Sequence, residues 1–169
     1  MAFDPDYSPD ETDWRILDEL QRDGRVSFTE LGRRVAMSSP AVPERVRRLE
    51  EVGIIRGYRA VVDPARIGRP IGAIIRVRMG MGRNYGDFDE QLRERPEVLE
   101  AHHVTGDDCY LVKVAVASMT ELEGIVAFLA GWGQTTTSLV FSTPIDQVAL
   151  GPAASEPGEG FGGPRRVAS

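Results

Sequence analysis

The segment from Ser27 to Asp63 constrains this chain most. It reads as a short helix, a tight turn, a second helix studded with arginine, and two short strands. Ser27-x-x-Glu30 has the form of a capping box, with Leu31 and Val35 inward on the helix it opens. Gly32 inside that helix costs roughly 1 kcal/mol against alanine, a cost that a close helix crossing would explain. Met37-Ser38-Ser39 is the expected turn. In the next helix Val42, Val46 and Leu49 fall at i, i+4 and i+7 and form the core stripe. Glu44, Arg47 and Arg48 then face the opposite way, with Arg45 on the flank. With Ser39 as cap and Pro40 at the first helical position, Pro43 falls in the fourth and removes only the first backbone bond. Gly53 ends the helix, and Ile54-Ile55 and Tyr58 to Val62 read as a small β-wing around Arg56-Gly57. The expected unit is a winged helix-turn-helix.

A net charge of −6 over 169 residues argues weakly against a nucleic-acid partner, but its distribution argues for one. Residues 24–60 hold eight arginines and four glutamates, whereas residues 1–23 hold two arginines and eight acidic groups. A local positive field matters more to a phosphate backbone than the total. Nearly every basic side chain is arginine, which suits bidentate phosphate and guanine contacts.

The flanks support this segment. Ser8-Pro9-Asp10-Glu11 has the form of a helix start, with Ser8 as cap and Glu11 closing the box, and Ile16, Leu17 and Leu20 share one face of the helix that follows. Asp63-Pro64 to Arg69-Pro70 is a proline-bracketed linker. From Ile71 the apolar period changes to two: Ile71, Ala73, Ile75, Val77 and Met79 share one face of a strand. Phe88 and Leu92 sit four apart on a helix that Pro96 ends. Strands are expected over 98–105 and 110–117, joined by a hairpin at Gly106-Asp107-Asp108. Ser118-x-x-Glu121 opens a helix with Met119, Leu122, Ile125, Val126 and Leu129 inward, and a β-branched strand spans 135–143. The order β-α-β-β-α-β is that of ferredoxin-like folds, so the fold class is α+β. The expected domains are 1–62 (winged helix-turn-helix), 63–70 (linker), 71–150 (ferredoxin-like, for effector binding and oligomerisation) and 151–169 (a disordered tail rich in glycine and proline).

Several motifs together resemble the Lrp/AsnC feast/famine family, the leucine-responsive transcription regulators. They are Asp13-x-x-Ile16-Leu17-x-x-Leu20 with Asp23-x-Arg25, Arg45-Val46-x-x-Leu49-Glu50, Gly53-x-Ile55-x-x-Tyr58, Asp63-Pro64 with Gly68, Val104-Thr105-Gly106-Asp107, Tyr110, and Thr135 to Ser138. The match covers about residues 10–146. The resemblance implies promoter binding as a dimer through the helix-turn-helix, with the ferredoxin-like (RAM) domains making the dimer and stacking dimers into tetramers or octamers. It implies an amino acid or related metabolite bound between dimers near the β-hairpin, and no cofactor. The chain departs from the family pattern at Ser39, Pro40 and Pro43, and at Cys109, which stands where an aspartate is common.

Residue types and places then nominate two sites. For double-stranded DNA they are Ser38, Ser39 and Ala41 at the start of the second helix, Glu44, Arg45, Arg47 and Arg48 along it, and Arg59 on the wing. Arg45 has an alternative role, pairing internally with a carboxylate such as Glu30. For an effector they are Val104, Thr105, Gly106, Asp107 and Asp108 of the hairpin, with Tyr110 and the hydroxyls of Thr135, Thr136 and Thr137. An open hairpin offers N–H groups to a carboxylate, and its aspartates suit an amino group. An effector-independent DNA-organising protein, and a metabolite-binding subunit without DNA, are the alternative functions.

An enzyme is disfavoured. His102 and His103 are adjacent on a strand and point to opposite faces, so they cannot share a metal. The single Cys109 allows neither a disulfide framework nor a cysteine zinc site. No apolar run reaches the ~20 residues of a membrane helix, and the acidic N-terminus is unlike a signal peptide. The expected location is the cytoplasm.

Overall fold

The computed structural model describes residues 7–38 and 40–153. The expected cap Ser39, and the expected tail beyond residue 153, lie outside the described residues. Two compact units divide the chain: one of residues 1–60 with the segment from Gln147, the other Val61–Asp146. Residues 147–150, expected in the second unit, thus group with the first. There Gln21 Nε2 donates to the Leu150 carbonyl at 3.0 Å, and the Leu150 N–H returns a bond to Gln21 Oε1 at 2.7 Å.

The first unit is three helices, α1 (Glu11–Arg22), α2 (Phe28–Arg34) and α3 (Ala41–Glu51). Ile16, Leu17, Leu31, Val35, Val42, Val46 and Leu49 form its buried cluster, so the stripe expected on α3 is the one it buries. The start of α1 differs from expectation. Asp10, not Ser8, is the cap, and its box partner is Asp13 rather than Glu11. The aspartates at 10 and 13 have the same i, i+3 spacing as the expected box, displaced by two residues, and Asp13 alone is buried. At α2 Ser27 accepts from the Glu30 N–H, but the Glu30 carboxylate turns to Arg33 and Arg34 instead of closing the box. Gly32 is small for a visible reason: a Cβ there would lie 3.0 Å from the Met37 carbonyl and 3.2 Å from a Val42 methyl. The turn it abuts carries Ala36 at a positive φ of 57°. Because α3 begins at Ala41, Pro43 is its third residue and loses no intrahelical bond, since the first-turn N–H groups have no partner in any helix.

The wing is a correction. Among the described residues no strand spans 54–62. Ile55 N–H bonds back to the Leu49 carbonyl, but Gly57 then takes φ 147° and no ladder forms. Tyr58 is 50% exposed, its hydroxyl donating to Glu50 at 3.0 Å. The β-branched run at 58–62 has strand-like composition without a pairing partner, and composition alone does not make a ladder. The unit is a helix-turn-helix without a wing.

The second unit opens with a 3-10 turn (Ala65–Ile67). It continues with β1 (Ile71–Met79), α4 (Tyr85–Arg93), β2 (Val98–His103), β3 (Tyr110–Val116), α5 (Met119–Ala130) and β4 (Gly133–Leu139). The sheet is antiparallel in the order β2-β3-β1-β4, the ferredoxin-like arrangement. Ala73, Ile75 and Val77 of β1, with Val112, Val114 and Val116 of β3, bury against Phe88 and Leu92 of α4 and Leu122, Ile125 and Leu129 of α5. The helices therefore cover one face, and the alternate residues of β1 (Ile74, Arg76, Arg78) point to the other. Met119, expected inward, is half exposed at the first position of α5, and β4 is shorter than expected, ending at Leu139.

Candidate nucleic-acid interface and effector region

The candidate DNA residues divide into engaged and free. Glu44 accepts from Arg47 Nη2 at 2.7 Å, and Arg47 also pairs with Glu51, so this arginine forms a rail along exposed α3. The Arg47 bond holds the Glu44 carboxyl below its usual range. Ser38 is exposed before α3, and its carbonyl accepts the Ala41 N–H at 3.0 Å, while Ala41 is half-buried. Among the described residues Arg48 and Arg59 form no ion pair, and both are exposed. The Arg48 guanidinium lies 4.7 Å over the ring of Tyr7.

Arg45 departs from the outward role expected of it. Its Nη1 donates to Asp10 Oδ2 at 2.6 Å and to Asp13 Oδ1 at 2.8 Å. The internal partner is thus the capping box of α1, not Glu30. Asp13 is 2% exposed and also accepts the Tyr7 hydroxyl at 2.6 Å and the Asp10 N–H at 3.1 Å. Partial burial, followed by the bond to Asp13, pushes the Tyr7 hydroxyl up to about 12. The Asp13 N–H, followed by Arg45, holds the Asp10 carboxyl below its usual range. Tyr7 and the α1 cap carried no DNA-related signal in sequence. Only the i, i+3 spacing of Asp10 and Asp13, set beside an arginine helix, hinted at this network.

The expected effector residues fall into two groups on this chain. Gly106 takes φ 110°, and the loop it belongs to closes with the Val104 N–H on the Cys109 carbonyl at 2.8 Å. Arg78 Nε donates to the Asp107 carbonyl at 3.0 Å, and Arg76 lies 3.6 Å from the Asp108 carboxylate. These two arginines were not foreseen. Their signal was the i, i+2 spacing opposite the buried stripe of β1. Thr105 is exposed in the same loop. Thr136 pairs with Arg76 across β1 and β4, so it shares the helix-free face, whereas Thr135 and Thr137 pair with Val77 and Ile75 on the helix side.

Tyr110, the remaining residue nominated for the effector, belongs to the second group. It is 2% exposed, stacked on His103 with ring centroids 4.9 Å apart, and its hydroxyl donates to Asp89 at 2.8 Å. Burial, followed by the Asp89 bond, pushes that hydroxyl up to about 12. It lines a groove of about 420 Å³ between α4 and β2 with Asp89, Arg93 and His103, apart from the hairpin aspartates. His102 instead faces Glu100, its Nε2 at 3.4 Å. Among the described residues no group of three histidine, cysteine or acidic side chains is placed to hold a metal.

A helix-turn-helix with an arginine-bearing second helix, followed by an antiparallel sheet with helices on one face, defines a DNA-binding regulator with a separate small-molecule domain. Residues 10–50 match the AsnC-type helix-turn-helix domain and residues 72–150 the Lrp/AsnC ligand-binding domain, so the chain belongs to the Lrp/AsnC family of transcriptional regulators. The HTH-type transcriptional regulator LrpC of Bacillus subtilis is 33% identical over 133 residues, covering 79% of this chain and 92% of that protein. The leucine-responsive regulatory protein of Haemophilus influenzae is 35% identical over 137 residues, covering 78% and 82%. The solved structure of Bacillus subtilis LrpC superposes with a TM-score of 0.79 at 32% identity, covering 84% of this chain and all of that one. A Neisseria meningitidis transcriptional regulator solved as its L-Met complex gives 0.79 at 30% identity, covering 85% and 96%. The relatives are regulators, not enzymes. Among the described residues no helix is long and apolar enough to cross a membrane.

Proposed function

We propose that the chain is a cytoplasmic regulator that assembles from two-fold dimers and reads a roughly palindromic operator. In this reading an amino acid or closely related metabolite tunes its occupancy. The observation that carries the DNA half is the face of α3. Among the described residues Arg48 forms no ion pair there and is exposed in the last turn of α3, while the exposed Ser38 precedes the helix and the exposed Arg59 follows it. A dimer of such units places its two recognition helices about one DNA turn apart.

The effector half rests on the hairpin. Its open Gly106 turn and its two aspartates, steadied by Arg76 and Arg78, suit both ends of an amino acid. Of the remaining expected residues, Thr136 shares the helix-free face with Arg76 and adds its hydroxyl to this site, whereas Thr135 and Thr137 lie on the helix side. The L-Met complex of the Neisseria relative supports the ligand class. The helix-free sheet face, with Ile74 41% exposed amid Arg76 and Lys113, supports a self-partner.

The test is selection of binding duplexes from a random pool, followed by footprinting across a salt series with and without each of the twenty amino acids. Protection should weaken steeply as salt rises, because each arginine–phosphate contact releases a counterion. Absence of any selected sequence at low salt overturns the DNA reading. Selected binding that no amino acid alters, together with no thermal shift, replaces the effector half with a DNA-organising role.

A further inference from the structure

Two arginines one helical turn apart on α3 are both tied to the residues that precede and cap α1, but in opposite ways. Arg45 sits between two carboxylates, at 2.6 Å from Asp10 and 2.8 Å from Asp13, with 36% of its side chain exposed. Arg48 rests on the ring of Tyr7, at 4.7 Å, and forms no ion pair among the described residues. Tyr7 joins the two halves, because its hydroxyl donates to Asp13 Oδ2 at 2.6 Å while its ring carries Arg48. Asp10 Oδ1 accepts the Asp13 N–H at 2.8 Å, and Asp13 Oδ2 accepts the Asp10 N–H at 3.1 Å. The α1 capping box and the α3 anchor are therefore one network.

We propose that Arg45 is a positioning residue for DNA recognition rather than a DNA contact. With Asp13, Asp10 and Tyr7 it sets the rotation and height of α3 and so presents Arg48 to the duplex. This rests on the DNA-binding reading above and deepens it.

The physical reason lies in the unequal cost of letting go. Asp13 is 2% exposed, and a buried carboxylate that loses its cationic partner is left without its chief compensation. Were Arg45 to swing to a phosphate, Asp13 would keep only the Tyr7 hydroxyl and the Asp10 N–H. The two carboxylates also cancel the field of Arg45 toward an approaching phosphate. Among the described residues Arg48 gives up a cation–π contact on a half-buried ring and forms no ion pair. The stronger hold belongs to the frame and the weaker hold to the reader.

The test is a double-mutant cycle on a selected duplex, read by fluorescence anisotropy, with Asp13→Asn, Arg45→Ala and the pair. Asp13→Asn adds one positive unit of charge and frees Arg45. If Arg45 contacts phosphate, this variant binds as well as the wild type or better. The positioning role predicts the reverse sign: each single variant weakens binding about tenfold, and the double is no worse than the weaker single, since both cut one network. Tyr7→Phe keeps the ring under Arg48 and removes only the hydroxyl, so it retains the fold if Asp13→Asn does not. It should weaken binding by about two- to fivefold, where the contact role predicts no change. Arg48→Ala should lower the salt slope by about 0.9 on both selected and random-sequence duplexes. Wild-type affinity in Asp13→Asn and Tyr7→Phe, or additive losses in the double, overturns the positioning role and leaves the DNA reading standing. Failure of the wild type to bind any selected duplex overturns both.

Discussion

In the helix-turn-helix unit seven apolar side chains form the buried cluster, accompanied by the buried carboxylate Asp13. In the ligand-binding unit twelve side chains form it, and the charged atom buried among its described residues is one carboxylate oxygen of the half-buried Glu97. The smaller unit has too little apolar surface to fix three short helices by packing alone. Directional bonds brace its helices as well: Arg45 reaches the α1 cap, and Arg34 bridges Glu19 of α1 and Glu30 of α2. The larger unit has a four-stranded ladder and a jigsaw of β-branched residues under two helices, so it needs no such clamp. Directional bonds specify geometry, which a DNA reader needs. Apolar burial supplies stability.

The two tryptophans allow the contrast to be broken one side at a time, since Trp14 packs against the first cluster and Trp132 against the second. The largest effect is expected from Phe88→Ala. Phe88 is fully buried, edge-on to Tyr110 at 4.8 Å and 5.2 Å from Trp132. Its loss should cost about 3–5 kcal/mol in denaturant unfolding followed at Trp132. Retention of the wild-type midpoint would mean that the sheet carries the unit without its aromatic centre. A smaller effect follows from Asp13→Asn, about 1–3 kcal/mol at Trp14, because Arg45 is partly exposed and water screens what the buried carboxylate feels. Added salt should reduce that difference while leaving the Phe88→Ala difference unchanged.

These contrasts also explain what was legible in the sequence. Local pattern located the four strands and the two longer helices of the second unit: alternation in β1 and β3, the i, i+4 pair Phe88 and Leu92 in α4, the Ser118 capping box of α5 and β-branched composition in β4. The core stripe of α3 was equally plain. The wing was not, since Tyr58 to Val62 have the composition of a strand but no neighbour to pair with, and pairing is a property of the fold rather than of the run. The cap of α1 was displaced because Ser8-Pro9 and Asp10-Glu11 offer competing starts, and at the observed one Asp10 and Asp13 close the box and both accept from the distant Arg45. Tyr110 carried the same lesson, its hydroxyl being taken by Asp89, twenty-one residues away. Residue type nominated the arginines of α3. Only their partners separate the ones that brace from the one left free.

The smallest effect concerns acid. Glu30 has an ordinary value of 4.5, and the bonds from Arg33, then Arg34, hold it down to about 2. Asp10 is likewise depressed, first by the Asp13 N–H and then by Arg45. Both carboxylates thus bind protons more weakly in the folded unit than in the unfolded chain. The contribution of each is whole above its ordinary value and drains away as pH falls below it, for Glu30 from about 4.5 toward 2. Glu30 is exposed, so solvent keeps its share modest. Glu30→Gln should therefore flatten the acid limb of the Trp14 unfolding profile in that window and leave the profile near neutral pH little changed. An unaltered acid limb in Glu30→Gln would assign it instead to the other depressed carboxylates of the unit, Asp10 with its partners and Glu44. A steepened limb would contradict the depressed value of Glu30 itself.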